Sequence, residues 1–178
     1  NLMITGPNID IDSSVKWRRL WPMQAETAMP QWVYGMSTTS SAGEKIAIAT
    51  CVDGSWKINL LDRDGLISPF EQPYDDLAGL SADQNRILTI ASNPLCESGL
   101  LEIDLNLGNC CHKPLREAVL DKSQISVPES FWFEGFEGKQ THAWYYPPAN
   151  WTGLAAPLLV KTHSGPTAMA GKGLNLGI

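Results

Sequence analysis

The residues best suited to chemistry lie late in the chain, in the run His163-Ser164-Gly165-Pro166. The apolar residues just before it, within residues 158–163 (LLVKTH), predict a short buried strand. The Ser-Gly-Pro residues predict a turn where that strand ends. A strand that stops at a loop of small residues can direct backbone N–H groups at a developing oxyanion. An ordinary strand end with turn residues fits the same pattern, and these residues alone do not decide between the two.

Other motifs with chemical meaning are incomplete. No Gly-x-Ser-x-Gly motif, the usual setting of a nucleophilic serine, occurs in the sequence; Ser37 fails because its last position is Thr39. The stretch Gly171-Lys172-Gly173 completes neither common phosphate-binding motif. Cys110, Cys111 and His112 are contiguous but lack the further spaced ligands that zinc requires. We therefore expect no metal and no cofactor.

Composition restricts the classes of partner. The chain has 13 basic and 19 acidic residues and a net charge of −6, whereas nucleic-acid binding depends on clustered lysine and arginine. No apolar run reaches the 18 residues of a membrane-spanning helix. The four cysteines show no Cys-x-x-Cys spacing, which favours free thiols in a reducing cytoplasm. We expect a cytoplasmic globular protein that binds neither nucleic acid nor membrane.

The middle of the sequence repeats. Residues 45–51 and 56–62 are apolar-rich runs on either side of an Asp-Gly pair, which predicts a β-hairpin. Residues 86–91 and 100–105 repeat the arrangement around a longer loop at residues 92–99, with Lys45 aligned to Arg86 at a shift of 41 and Asp62 aligned to Asp104 at a shift of 42. Each copy also has an upstream strand candidate (residues 31–37 and 76–81) and a downstream one (residues 66–74 and 109–120).

A period of 40–45 residues with four short strands is typical of β-propeller blades. Two unrelated β-meanders in a sandwich are the alternative, and the matching register of the copies favours the propeller. Since closed propellers use about four to eight blades, two blades imply further sequence upstream. Residues 1–30 contain two more strand candidates, at 2–4 and 15–20. Within them, Glu26 is the one acidic residue of the small-residue stretch 23–29.

The pattern changes after Val127-Pro128. Residues 129–134 (ESFWFE) and 140–146 (QTHAWYY) predict two strands joined by a Gly-containing turn, and two prolines end the second. A connector then leads to the predicted strand at residues 158–163. We therefore place a domain boundary between residues 1–127 and 128–178.

This order of segments resembles the prolyl oligopeptidase family of serine peptidases, in particular its acylaminoacyl-peptidase and dipeptidyl-peptidase-like branch. The resemblance rests on the two blades, on residues 129–148 (ESFWFEGFEGKQTHAWYYPP) and on residues 157–170 (PLLVKTHSGPTAMA). It implies a mainly β chain: the C-terminal blades of a β-propeller followed by the first strands of an α/β-hydrolase domain. It also implies that the sequence is an internal fragment of a peptidase that acts on short peptides.

The resemblance assigns roles to four residues. His163, Ser164 and Gly165 lie on the family's His-Gly-Gly-Pro motif, which helps to form the oxyanion hole; Ser164 stands where that motif usually has glycine. Glu26 lies in a blade segment where aminopeptidase members present an acidic group to the free amino terminus of a substrate. The Ser, Asp and His of the triad are expected beyond Ile178, so the isolated chain is expected to be inactive.

Two other hypotheses remain open. A non-catalytic propeller-like binding module would leave residues 163–167 as a simple loop. A structural fragment would instead pair its exposed strand edges between chains and form a homo-oligomer, because the strand at residues 158–163 lacks most of its parallel neighbours.

Overall fold

The computed structural model describes residues 2–4, 18–30, 32–153, 155–163, 165 and 168–176; for 2–4 and 18–20 it describes the backbone. Within these ranges the chain forms twelve strands, and no helix there is long and apolar enough to cross a membrane. Short 3₁₀ turns lie at Lys122–Gln124 and Phe136–Gly138. The strands are β1 Leu2–Ile4, β2 Arg18–Trp21, β3 Thr39–Ala42, β4 Lys45–Val52, β5 Ser55–Leu61, β6 Ile67–Phe70, β7 Asp76–Asp83, β8 Arg86–Asn93, β9 Cys96–Asp104, β10 Asn109–Pro114, β11 Glu129–Glu134 and β12 Gln140–Tyr145.

The first four-stranded sheet has the order β3-β4-β5-β6, and each strand pairs antiparallel with the next. Its central hairpin turns at Asp53 and Gly54, whose φ angles are 47° and 72°. Two successive positive φ values are the geometry of a type I′ turn, for which Asp-Gly is a favoured pair. The hairpin predicted at this pair is confirmed.

The second four-stranded sheet contains β7, β8, β9 and β10, also paired antiparallel in chain order. β4 begins at Lys45 and β8 at Arg86, so the predicted shift of 41 residues is present in the strands themselves. The upstream strand predicted at residues 76–81 is present as β7, and both downstream strands are present as β6 and β10.

The two aligned aspartates perform the same local task. One carboxylate oxygen of Asp62 accepts the N–H groups of the residues two and four positions later, at 3.0 and 2.8 Å. One oxygen of Asp104 accepts those two and three positions later, at 2.9 and 3.0 Å. Aspartate favours such turns because its short side chain reaches the backbone that follows it. Each aspartate therefore stabilises the turn that leads into the fourth strand of its sheet.

Two sequence predictions about these sheets are wrong in detail. The loop expected at residues 92–99 is a tight turn, because β8 continues to Asn93, β9 begins at Cys96, and Asn93 Oδ1 accepts the Leu95 N–H at 2.9 Å. The side chain of Asn93 thus closes a tight turn where the sequence predicts a longer loop.

The prediction of a strand at residues 31–37 is also wrong. Residues 32–35 form turns, and β3 begins only at Thr39. The Val33 N–H donates to Pro30 O at 3.1 Å, and Gly35 has a φ of 77°, so neither end of this stretch can remain extended. Residue 31 lies outside the described ranges.

The hydrophobic core lies between the two sheets. It combines Ala47, Ala49 and Ile58 of the first sheet with Ile87, Leu101 and Ile103 of the second, all almost completely buried. Alternation along β8 places Ile87 in this core and leaves Ile90 on the opposite face, where it is 38% exposed. The other face of the first sheet borders a cleft of about 340 Å³, lined by Trp21, Met23 and others of that region.

The remaining strands form two small antiparallel pairs. The strands predicted at residues 2–4 and 15–20 are present as β1 and β2, although residues 15–17 lie outside the described ranges. The hairpin predicted after Pro128 is present as β11 and β12. The domain boundary at Val127-Pro128 stays a prediction.

The strand expected at residues 158–163 is absent from the structure, where these residues carry no regular secondary structure. Leu158, Leu159 and Val160 are 78%, 89% and 76% exposed. A strand needs hydrogen-bonded neighbours, and no described strand lies alongside these residues. Their apolar character alone was therefore insufficient to form the strand.

Replacing Ile87 with alanine should lower the free energy of unfolding by about 2–5 kcal/mol, because it opens a cavity between the sheets. Ile90→Ala in the same strand is the matched control and should cost about 1 kcal/mol or less, since Ile90 is already partly exposed. Urea unfolding followed by tryptophan fluorescence measures both values. Equal losses would contradict the assignment of the two faces of β8.

Candidate functional site

Several parts of the chain meet at one end of the two sheets, which we call the junction. The sheets contribute the β4–β5 turn, the start of β7 and the β8–β9 turn, and residues 168–176, the return segment, lie across them. Within the return segment, the Leu174 N–H donates to Asn93 O at 2.9 Å, and Leu174 forms a parallel bridge with Glu97. The return segment begins three residues after Gly165, so the junction holds the chain directly behind the predicted oxyanion loop.

Two adjacent carboxylates next to the start of β7 bind the return segment. Asp76 Oδ2 accepts the Gly173 N–H at 2.5 Å. Asp75 Oδ1 lies 3.2 Å from the Lys172 ammonium, and the exposed fractions of these two side chains are only 20% and 17%. Lys57 approaches the same oxygen at 3.8 Å. An ion pair that is partly shielded from water is screened less than a surface pair, so this contact is a specific feature of the junction.

The two glycines beside Lys172 let the backbone pass very close to side chains of the second sheet. A Cβ on Gly171 would lie 2.6 Å from Asp76 Oδ2, and one on Gly173 would overlap Ser92 Oγ. The Gly-Lys-Gly stretch therefore brings a backbone N–H to a carboxylate.

Trp144 of β12 connects the β11–β12 hairpin to the junction. Its indole Nε1–H donates to Ala170 O at 2.9 Å, and the Lys172 ammonium lies 5.4 Å from the centroid of its ring. That distance is within the range of a cation–π interaction. The ring also covers the β4–β5 turn, since a Cβ on Gly54 would lie 2.8 Å from Trp144 Cζ2.

Two groups at the junction, Asp76 and Tyr146, have raised pKa values. Burial raises the pKa of Asp76 above its usual value; the charge of Asp75 raises it further, whereas the Gly173 N–H and Lys172 lower it. Burial, followed by the charge of Asp76, also raises the pKa of Tyr146. The return segment thus supplies the positive charge and the N–H donor that make an ionised Asp76 tolerable at this position.

Cys51 is a structural thiol at the junction. Burial raises its pKa to about 11, against a backbone hydrogen bond from Gly54 that lowers it. Its sulfur lies 3.8 Å from Met169 Sδ in the return segment. A thiol with this pKa remains protonated at neutral pH, so Cys51 contributes packing and is not a nucleophile.

Glu26 lies beside Cys51. Its N–H donates to Cys51 O at 3.0 Å, and the Cys51 N–H donates to Glu26 O at 2.7 Å. Its exposed carboxylate accepts the N–H groups of Thr27 and Ala28 through Oε1, at 2.9 and 3.0 Å. This fixes the backbone and one carboxylate oxygen of Glu26 at the junction, near the return segment.

The predicted oxyanion loop is only partly described. His163 and Gly165 are exposed, and Ser164 lies outside the described residues. Gly165 has a φ of 76°, a left-handed conformation that glycine adopts without a steric penalty. Thus positive φ occurs at Gly165, where the sequence retains the glycine of the motif.

Four residues of the junction are not predicted from the sequence: Asp75, Asp76, Trp144 and Lys172. The contact between Asp76 and Gly173 spans 97 residues, and nothing local in either segment indicates it. The available signals were two adjacent acidic residues at a predicted strand start and a lysine between two glycines. Neither signal identifies its partner without the fold.

In sequence, no protein-family model and no curated protein matches the chain. Among solved structures it is similar to a Mycobacterium tuberculosis puromycin-hydrolyzing peptidase, with 25% identity and a TM-score of 0.69 over 80% of this chain and 22% of that one. A puromycin hydrolase gives 24% identity and a TM-score of 0.71 over 81% and 22%. A prolyl endopeptidase gives 14% identity and a TM-score of 0.50 over 75% and 19%.

These structural neighbours are peptidases, and the chain spans about a fifth of their length. The described antiparallel sheets match the propeller-like region of such peptidases. The β-rich fold expected from the repeat is therefore confirmed, while the number of blades stays a prediction.

Gly54→Ala should destabilise the protein more than Gly108→Ala, by about 1 kcal/mol or more. Both glycines have positive φ, 72° and 65°, so alanine carries a similar backbone penalty at each. Only at Gly54 would the added Cβ press against Trp144; at Gly108 it meets open space. Urea unfolding of both variants measures the difference. Equal costs would contradict the contact between Trp144 and the β4–β5 turn.

Asp76→Asn should change how stability depends on pH. The pKa of Asp76 is raised in the folded state above the ordinary 3.8, so the folded protein binds more protons than the unfolded chain between these two values. The contribution of Asp76 to stability is therefore fully present below about pH 4 and falls as pH rises through the raised pKa. Asparagine cannot ionise.

Urea unfolding between pH 4 and pH 7 measures this effect. The free energy of unfolding of the Asn variant, minus that of the unmodified protein, should increase with pH across this window. A difference that decreases would show that Asp76 is stabilised as a carboxylate and would contradict the burial argument.

Proposed function

We propose that the chain is part of a serine peptidase of the prolyl oligopeptidase family that hydrolyses peptide bonds in short peptides. The observation that carries this proposal is the similarity in fold to puromycin-hydrolyzing peptidases over four fifths of the chain. In this proposal the sheets β3–β6 and β7–β10 are two C-terminal blades of a propeller. Residues 128–178 then begin the α/β-hydrolase domain, whose first hairpin is β11–β12.

The reaction in this proposal is acyl transfer to a serine. A histidine removes the proton of the serine hydroxyl, an aspartate orients that histidine, and backbone N–H groups stabilise the tetrahedral oxyanion. Gly165 and its neighbours His163 and Ser164 form the loop that supplies those donors. The three triad residues lie outside these 178 residues, in agreement with the absence of a Gly-x-Ser-x-Gly motif.

Glu26 supports a preference for substrates with a free amino terminus. Its carboxylate is exposed, and its Oε1 accepts the N–H groups of Thr27 and Ala28. Backbone pairing with Cys51 holds the residue at the junction. Among the described residues, no hydrogen bond occupies Oε2. A carboxylate oriented in this way can bind an ammonium group of a peptide by a charge-assisted hydrogen bond.

The test uses the complete gene product that carries these residues and, beside it, the 178-residue chain. The complete protein should release aminomethylcoumarin from aminoacyl and dipeptidyl amides, and a fluorophosphonate should label it and abolish hydrolysis. The 178-residue chain should do neither, because oxyanion donors alone cannot form an acyl-enzyme. A complete protein that is neither active nor labelled would favour the non-catalytic binding module.

Glu26→Gln tests the proposed preference for substrates with a free amino terminus. In the complete protein it should raise KM about 10- to 100-fold for substrates with a free amino terminus, because a charged hydrogen bond is lost. N-acetylated substrates should be unaffected. Glu44→Gln is the matched control, since Glu44 is an exposed carboxylate in the β3–β4 turn at the other end of the sheet. Equal effects on both substrate types would overturn the role of Glu26.

A further inference from the structure

We infer that Cys96 and His112 form a nucleophilic thiol–imidazole pair, which makes Cys96 a modification site for small disulfides such as glutathione disulfide. Cys96 Sγ and His112 Nδ1 lie 3.6 Å apart, a hydrogen-bonding distance for a sulfur atom. Both residues are half-buried, so the pair is neither sealed in the core nor fully open to solvent. The inference goes beyond the proposed peptidase function and does not depend on it, because neither residue takes part in that reaction.

The second ring nitrogen of His112 determines where its proton lies. His112 Nε2 is 3.0 Å from Ala91 O. A backbone carbonyl only accepts hydrogen bonds, so Nε2 must carry the proton that it donates. In the neutral ring, Nδ1 then has a free lone pair and can accept the S–H proton of Cys96. A nucleophile, a base and a group that orients the base are thus present together, which is the arrangement that activates a thiol.

The imidazole of His112 is held by more than its two hydrogen bonds. Tyr74 stacks on it, with ring centroids 4.6 Å apart and an interplanar angle of 23°. Gly99 of β9 leaves the space that the ring needs, since a Cβ there would lie 2.6 Å from His112 Nε2. The side-chain amide of Gln72 in turn holds Tyr74, because it accepts the Tyr74 N–H at 2.6 Å and donates to Tyr74 O at 2.8 Å. The base is therefore already oriented towards the thiol before any reaction.

The other three cysteines have different surroundings and provide internal comparisons. Cys51 is buried and its pKa is raised to about 11, so it remains protonated at neutral pH. Cys111 is exposed, but it is adjacent to His112 in β10 and therefore lies on the opposite face of the sheet. Cys110 is half-buried and packs against the hydrophobic core. These environments differ from that of Cys96 in burial or in position relative to His112.

The proposed step is a thiol–disulfide exchange. His112 Nδ1 takes the proton of the Cys96 thiol, and the resulting thiolate attacks one sulfur of glutathione disulfide. The bond between Cys96 and that sulfur forms as the S–S bond of glutathione disulfide breaks, and the leaving thiolate takes the proton from His112. Cys96 is oxidised to a mixed disulfide while the other half of glutathione disulfide is reduced to a thiol, so no further oxidant is needed.

The first experiment treats the 178-residue chain with glutathione disulfide at about pH 7 and identifies the adducts by mass spectrometry of its peptides. Cys96 should be modified about 10-fold or more faster than Cys111, although Cys111 is more exposed, because a positioned base contributes about 100-fold or more to such a proton transfer. Cys51 should not react. Modification of Cys111 as fast as that of Cys96, or no modification of Cys96, would overturn the inference.

The second experiment removes the base. His112→Gln keeps a side-chain N–H that can donate to Ala91 O but cannot take a proton, so it should slow modification of Cys96 about 10-fold or more and leave Cys111 unchanged. His142→Gln is the matched control and should have no effect on Cys96, since His142 Nε2 lies 2.9 Å from the hydroxyl oxygen of Ser130 in the β11–β12 hairpin. An unchanged rate at Cys96 in His112→Gln would refute the role of the imidazole.

The third experiment needs no variant and decides the question even if His112→Gln does not fold. Nitrogen-15 correlation spectra of the histidine rings at about pH 7.5 show which nitrogen of His112 carries hydrogen. We expect a protonated Nε2, as the hydrogen bond to Ala91 O requires. An unprotonated Nε2 would overturn the inference, because Nδ1 would then hold the proton and could not accept that of Cys96.

Discussion

The two four-stranded sheets pack face to face through side chains that are almost completely excluded from water, among them Ile58, Ile87 and Ile103. This contact determines where the strand ends lie. The β4–β5 turn belongs to the first sheet, and the start of β7 and the β8–β9 turn belong to the second. The packing between the sheets brings them together, and the Trp56 N–H adds a hydrogen bond to Asp75 O at 2.7 Å. Each side chain at the junction therefore depends on a core that contains no functional residue itself.

Much of this architecture could be predicted because its causes are local. The Asp53-Gly54 pair specifies a type I′ turn, and the turns after Asp62 and Asp104 rest on the same side-chain hydrogen bonds. Predictions failed where local composition was ambiguous. Apolar residues at 31–37 suggested a strand that the turn at residues 32–35 prevents, and residues 158–163 have the composition of a strand but no partner to pair with.

The residues of the candidate site also differ in whether the sequence could predict them. Glu26 and residues 163–165 were proposed from a resemblance to known motifs, and the structure brings Glu26 to the junction through its backbone pairing with Cys51. Asp75, Asp76, Trp144 and Lys172 could not be proposed in that way. Their contacts join segments far apart in the chain, and a carboxylate, an indole or a lysine has no spacing rule that names its partner in advance.

The contacts at Asp75 and Asp76 contribute more to specificity than to stability. Taking Asp76 partly out of water raises its pKa, which shows that desolvation outweighs the stabilisation it receives from Gly173 and Lys172. Partly buried ion pairs often add little net stability for the same reason, yet a mismatched pair is strongly unfavourable. Two such contacts on consecutive residues therefore select one register for residues 172–173 at little gain in folding free energy. These contacts therefore fix the return segment on the ends of the strands, whereas the core between the sheets holds the sheets together.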